Sequence, residues 1–494
     1  MSPASHSPSL LRLARDYDRG GRLDDAARAY EAVIALAEDT RDQPLLAEAL
    51  RRLAVVCHRR GSLPRARTLA ERSLGVAVAS GSPALIAEAL NTLGGLELVA
   101  DRYEQARSLF LRATEHARTS DELLGRIEQN LGSVESLLGN RDAARHHYRR
   151  SLQAFLAAGD EHGCAIAYHN LGMISSDLRQ WSEAEGFFAA SLRAVQQTGD
   201  LHLRGLALLN RAEVLLSLGK LPQARLSADA AAGIFDELHA PPELADAHRV
   251  LGIAYRDSGD LPEAQSRLRF AVEVAGSSGS PSGEAEALRE LAVVCALSGR
   301  RREALELAIE AGRLFGTLGR PLRPTEILAG DYPPVVRGWG ELLKACRPTA
   351  FEHSRRVAAT AALLGRELGL DLTGQACVLV GGFLHEIGTL DEGDEASYPS
   401  RGARLLEESC LPATVLRVVR CHQQTGEDSG QGEAGREAPI EAQIVGLADA
   451  YDGLVAPAGP YRPMTPEEAA QTLDQVRSRW QPRVLEAFHR SRAA

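Results

Sequence analysis

Small and apolar residues recur along the first two thirds of the chain with a period far longer than a helical turn. Ala26, Ala66, Ala106, Ala144, Ala184, Ala224, Ala264 and Ala304 are 40 residues apart throughout, apart from one step of 38. Seven residues after each Ala stands Val33, Ser73, Ala113, Ser151, Ser191, Ala231, Ala271 or Ala311, all but one of them Ala or Ser. Thirteen residues before it stands Leu13, Leu53, Leu93, Leu131, Leu171, Arg211, Leu251 or Leu291. Five residues before it, Gly recurs at Gly21, Gly61, Gly139, Gly219, Gly259 and Gly299. Small residues seven apart lie two turns apart on one helix face and let a neighbouring helix come close. The Gly marks a turn between two helices, where positive φ is often needed. Each unit therefore predicts helix A, a short turn, helix B and a connector. One such hairpin cannot bury its apolar face alone, so eight units over residues 7–320 predict a stacked, right-handed solenoid.

The period ends after Leu318-Gly319. Arg320-Pro321-Leu322-Arg323-Pro324 and Asp331-Tyr332-Pro333-Pro334 are breakers, with short apolar pieces at Ile327–Leu328 and Val335–Leu343. Residues 321–345 read as a connecting segment, short enough to join packed domains through which a change in the solenoid can travel. Helical spacing returns in residues 346–494. Val357, Ala361, Leu364 and Leu368 predict one helix, ended by Gly369. Ala376–Leu384, Gly402–Ser409, Ala413–Cys421 and Ile440–Leu454 predict four more. The expected fold class is all-α: a helical solenoid followed by a helical bundle.

Composition narrows the function classes. Lys+Arg is 56 and Asp+Glu is 66, a net charge of −10 that argues against general nucleic-acid binding. Aromatics are only 5% against 44% hydrophobic residues, so the core is built mostly from Ala, Leu and Val. Seven cysteines are scattered without a CxxC, which reads as reduced thiols in a cytosol. Met1–Arg15 does not read as a signal peptide, and no apolar run approaches a membrane span. The expected location is cytoplasmic, with neither nucleic acid nor membrane as partner.

The candidate chemistry lies in the C-terminal part. His385-Glu386 ends one predicted helix, His422 ends another, Asp449 lies on a third, and His353 lies upstream. Imidazole and carboxylate suit a hard or borderline divalent ion, and helix ends facing a shared centre are how bundles build metal sites. In the repeats, Asn130, Asn170 and Asn210 hold the same helix A position. Such a ladder can pair with an extended peptide backbone; the alternative is bonding between neighbouring helices or exposure to solvent. His146-His147 reads as surface, Trp181 as packing at a turn, and Arg300-Arg301-Arg302 as a solvated run.

Two resemblances rest on these residues. Leu171-Gly172 with Ala184, Phe188 and Ser191, and Leu251-Gly252 with Tyr255 and Ala264, resemble the tetratricopeptide repeat. The period looks like its long-helix variety, common in bacterial regulators and motor-adaptor chains. That resemblance implies a protein or peptide partner in the concave groove. His353-Ser354-Arg355-Arg356-Val357 and His385-Glu386-Ile387-Gly388 resemble the HD superfamily of metal-dependent phosphohydrolases. Ala448–Leu454, Pro460-Tyr461-Arg462, Glu467-Glu468-Ala469 and Gln481–Phe488 resemble its HD-GYP subgroup, bacterial phosphodiesterases that open cyclic di-GMP. Members hold two or three iron or manganese ions and a bridging hydroxide.

Against that pattern the chain keeps His353, His385 and Asp449 and has Glu386 in place of Asp. Thr389 replaces a basic residue, Tyr398 replaces a His, and His422-Gln423 replaces a His pair. Gly426–Gly435 replaces the Gly-Tyr-Pro stretch. Gly459 replaces one basic residue, and Arg462 keeps a second as a phosphate contact. The remainder is the single-metal set of His353, His385, Glu386 and Asp449, with His422 as an extra ligand or substrate contact. The resemblance implies one divalent ion, iron or manganese, or none. The expected function is a bacterial signalling or scaffold protein with a catalytically impaired HD-GYP-like domain. The competing reading is a phosphodiesterase under solenoid control, acting on a cyclic dinucleotide or another phosphoester.

Overall fold

The computed structural model describes residues 7–117, 120–319, 323–393, 397–424, 438–457 and 462–493, and no strand occurs among them. The chain forms two compact units, Met1–Lys220 and Leu221–Ala494.

The first unit is a stack of helical hairpins, among them Gln43–Arg59 with Leu63–Ser80 and Glu161–Asp177 with Trp181–Thr198. Every Ala of the 40-residue alignment, in both units, is fully buried. The Ser found seven residues later does more than stay small. Ser73, Ser151 and Ser191 donate their hydroxyls to the carbonyls of Ala47, Gly125 and Ala165 at 2.7, 2.8 and 2.8 Å. Each bond ties helix B to helix A of its own hairpin. The Leu-Gly step is a socket: a Cβ on Gly172 would lie 2.7 Å from the Phe188 ring, and Gly94 and Gly132 face Phe110 and Tyr148 in the same way. At the two repeat turns without Gly, Asp101 (φ 56°) and Arg179 (φ 58°) take the left-handed conformation anyway. Hairpin closure dictates the turn, and the residue follows.

One expectation fails in this unit, and one aligned position departs from the others. Leu13 is 42% exposed, because among the described residues no helix precedes its own to cover it. His147 is not a plain surface residue. Its Nδ1 lies 2.7 Å from Glu128, a fully buried carboxylate that Arg150 also reaches. The partner comes from the preceding helix, 19 positions away.

His169, on helix Glu161–Asp177, is pushed down to about 4 by burial. The folded state therefore resists the proton that the unfolded chain accepts near pH 6.5. Stability is full above that pH and falls between about 6.5 and 4, by on the order of 3 kcal/mol. In His169→Gln the gap in melting temperature between pH 7 and pH 5 is expected to narrow; an unchanged gap places the acid sensitivity elsewhere.

In the second unit, the hairpins Pro241–Asp257 with Leu261–Ser277 and Pro281–Leu297 with Arg301–Thr317 lead into short helices Pro324–Leu328 and Pro334–Cys346. One apolar core runs through Leu291, Val294 and Ala304 of the repeats, Trp339 and Leu343 of the connector, and Val380, Phe383 and Leu384 beyond. The bundle that follows consists of Pro348–Glu367, Leu372–Leu384, Tyr398–Leu406, Ala413–Cys421, Ile440–Val455, Pro466–Gln475 and Pro482–Ala493. The third of these starts four residues before the expected Gly402. Pro399 sits in its first turn, where a missing N–H costs nothing. Val357, Leu364, Ile444, Leu447 and Phe488 form the bundle's second core.

Candidate metal centre

Helix Leu372–Leu384 is apolar almost throughout and buries eight residues, so it is anchored on several sides and presents His385 at its end. His385 is fully buried. Its Nδ1–H donates to the Gly382 carbonyl at 2.7 Å, which leaves the lone pair on Nε2. That buried Nε2 has no hydrogen-bond partner. It lies 3.8 Å from an Asp449 oxygen and 3.9 Å from a Glu386 oxygen, beyond hydrogen-bond reach of both.

His353 enters from helix Pro348–Glu367. Its Nε2 is 2.9 Å from Asp449 and its Nδ1 is 2.7 Å from Asp452. Burial opposes a charge on this ring, but the bonds to Asp449 and Asp452 prevail and hold it up to about 9. Burial likewise opposes the Asp449 carboxylate, and its bond to His353, with His385 and His422 nearby, holds it well below the usual range. Asp452 is itself gripped by Arg356, whose Nε and Nη2 each donate at 2.8 Å. Asp452 and Arg356 extend this cluster, and neither was singled out from the sequence. The signal was present, because Asp452 follows Asp449 by three positions and so shares its helix face.

His422, also buried, donates Nδ1–H to the Val419 carbonyl at 2.9 Å. Burial first, and His385 second, push it down to about 4, so it is neutral. Its Nε2 is 3.1 Å from the Tyr398 hydroxyl, which accepts from Gln423 at 2.8 Å. With the His422 Nδ1–H committed to Val419, Nε2 accepts from the Tyr398 hydroxyl, and burial with the nearby Glu386 and Asp449 raises that phenol's pKa. The two residues standing where imidazoles were expected thus form a closed set with His422.

Two overlapping groups can hold an ion: His353, His385 and Glu386, and His385, His422 and Asp449, with ligand atoms within 4.8 Å of one another. The orphaned Nε2 of His385 and the Asp452 bond to His353 both fit a metal centre. A ligating His normally donates its other N–H to a carbonyl or carboxylate.

Arg462 is exposed, and among the described residues no hydrogen bond or ion pair joins it to this cluster. Gly459, Pro460 and Tyr461, and the stretch Gly426–Gly435, lie outside the described residues. Asn130 donates to Asn91 at 2.9 Å, and Asn210 lies 3.4 Å from His169 Nε2. Asn170 is half-buried. Asn91 stands one residue before Thr92, the aligned equivalent of Asn130, so this bond steps outside the ladder's register.

Comparison with known proteins agrees with this geometry. The HD domain family matches residues 350–454. Tetratricopeptide repeat families match residues 7–77, 85–157 and 243–314, and residues 164–198. Among solved structures, a signal transduction ATPase with numerous domains and a tetratricopeptide repeat sensor, from Pyrococcus horikoshii, is 16% identical. The match covers 62% of this chain and 46% of that one, with a TM-score of 0.51. BtubC from P. vanneervenii is 23% identical over 44% of this chain and 92% of its own, with a TM-score of 0.40. No curated protein sequence matches. No helix is long and apolar enough to cross a membrane, among the described residues. The architecture is that of scaffold and signalling chains, and HD domains are typically metal-dependent. The chain is a tetratricopeptide-repeat protein that carries an HD domain.

Proposed function

We propose that this is a bacterial, cytoplasmic signalling or scaffold protein. Its repeats bind a protein or peptide partner, and its HD domain, a motif-depleted relative of the HD-GYP subgroup, holds one divalent ion with little or no phosphodiester turnover. The buried, unpartnered Nε2 of His385 between two carboxylates carries the metal half of this reading. A desolvated imidazole lone pair with nothing to accept from is costly unless something fills the gap.

His353, His385, Glu386 and Asp449 would hold the ion, iron or manganese. When bound, such an ion neutralises a phosphate oxygen and acidifies water. The protein's own groups do the rest of the positioning. Gly382 and Asp452 fix the ring orientations of His385 and His353. Tyr398 donates to His422, and Gln423 donates to Tyr398. That closed trio supports one ion rather than two, because a second needs the imidazoles that Tyr398 and Gln423 replace. The ladder around Asn130, Asn170 and Asn210 is the proposed peptide contact, and Arg462 the proposed phosphate contact.

The retained four-ligand set also fits a one-metal phosphohydrolase acting on a cyclic dinucleotide or other phosphoester, the competing reading. Elemental analysis of the pure chain separates the two when paired with a turnover assay. About one iron or manganese per chain is expected, lost in His385→Ala, with cyclic di-GMP left intact. One ion per chain with turnover of a cyclic dinucleotide or other phosphoester that His385→Ala abolishes would establish the enzyme instead.

A further inference from the structure

Arg300, Arg301 and Arg302 look alike in sequence and behave differently in the fold. Arg302 is exposed and pairs with Glu306 at 3.2 Å. Arg300 donates to Gln265 at 2.7 Å and to Glu303 at 2.9 Å, inside the repeats. Arg301 is half-buried and points the other way. Its Nε donates to the Leu390 carbonyl at 2.7 Å, and its Nη2 donates to the Thr389 carbonyl. Arg347 adds a bond to Thr389 at 3.3 Å.

Those carbonyls belong to the tight turn Ile387–Leu390, which begins directly after Glu386. The Glu386 carbonyl accepts from Thr389 N–H at 2.9 Å and from the Thr389 hydroxyl at 2.7 Å, so Glu386 and Thr389 move as one piece. The same repeat helix, Arg301–Thr317, touches the HD domain again near its other end. A Cβ on Gly316 would lie 2.8 Å from the Glu408 carbonyl, and one on Gly312 would lie 2.7 Å from the Ser409 hydroxyl. The last helix of the repeats is thus laid along the domain and forked onto the turn that leaves the metal centre.

We infer that Arg301 is a positioning residue for the metal centre: through it the last repeat hairpin holds the Glu386 turn in its ligating shape. A guanidinium suits this role because its rigid fork reaches two successive carbonyls, which an ammonium cannot do in a fixed geometry. The consequence is regulatory. A partner that shifts helix Arg301–Thr317 changes the ion affinity of the HD domain, and by linkage the ion changes the order of that helix. This inference rests on the single-ion reading for its affinity arm only.

The test uses the full chain, Mn2+ as the probe, and hydrogen exchange as a second readout. Arg301→Ala is expected to weaken Mn2+ binding about tenfold and to speed exchange of the Thr389–Asp391 amides by about the same factor. Arg301→Lys is expected to rescue only part of either, and it serves as the test variant if Arg301→Ala does not fold. Arg302→Ala changes neither. In the wild type, Mn2+ slows exchange across Arg301–Thr317, and Arg301→Ala removes that response. Unchanged exchange at Thr389–Asp391 in the Arg301 variants overturns the inference. Faster exchange with wild-type Mn2+ affinity overturns it too, reducing Arg301 to a staple between domains. A wild-type chain that binds no Mn2+ sinks the single-ion reading, and the exchange arm then decides the positioning of the turn by itself.

Discussion

Gly388→Ala is expected to cost about 4 kcal/mol or more and to melt the HD domain separately from the helices of the first unit. The added Cβ would lie 1.8 Å from the Tyr398 carbonyl oxygen and 2.6 Å from the Gly402 amide. Both are backbone atoms in a helix, so no side chain can swing aside. The requirement is space, not conformation, because Gly388 does not have a positive φ. The same device recurs at Gly446, where a Cβ would lie 2.2 Å from the His422 carbonyl. Two glycines thus pin the Tyr398 and His422 backbones against the helices and turns that bear His385 and Asp449. Thermal unfolding followed by circular dichroism checks the prediction. A single transition at the wild-type temperature would show that the turn relaxes and that the backbone contact does not anchor the site.

The sequence disclosed its periodic features and hid its cross-chain ones. The buried Ala series and the Leu-Gly socket were legible because the same contact is made in every hairpin, so the residue type repeats in phase. The turns at Asp101 and Arg179 carried no Gly to signal them, yet closure imposed the same φ. His147 and Arg301 were misread for one reason. Their partners, Glu128 and the Thr389–Leu390 carbonyls, come from another helix and from 88 residues downstream. Spacing within a helix carries no trace of either. The candidate ligands His353, His385, Glu386 and Asp449 were legible through the family motif, and the fold places them in two groups that share His385. What the motif did not show is that Tyr398, in the place of a ligand, closes onto His422 and Gln423. That bond depends on a hydroxyl reaching an imidazole 24 positions away, which residue identity alone does not specify.

Asp452→Asn is expected to weaken Mn2+ binding roughly 10- to 100-fold while leaving the fold intact. The carboxylate is buried; its Oδ2 accepts from both His353 Nδ1 and Arg356 Nη2, and its Oδ1 accepts from Arg356 Nε. With that acceptor in place, His353 keeps its proton on Nδ1 and turns Nε2 toward Asp449 and the centre. An amide is isosteric but neutral, so it holds the ring less firmly and lowers the basicity of Nε2. Asp452→Ala goes further: it leaves His353 with Asp449 alone and half-exposed Arg356 without this partner, at a cost of about 1–2 kcal/mol in stability. Arg356→Ala separates the two roles. It leaves the Asp452–His353 bond in place, so stability is expected to fall by about 1 kcal/mol while Mn2+ affinity changes less than threefold. Isothermal titration with Mn2+ and thermal melts on the three variants provide both axes. Equal affinity in wild type and Asp452→Asn would mean that His353 is not a ligand, and that its two carboxylate bonds form a structural ion pair beside a site built from the remaining groups.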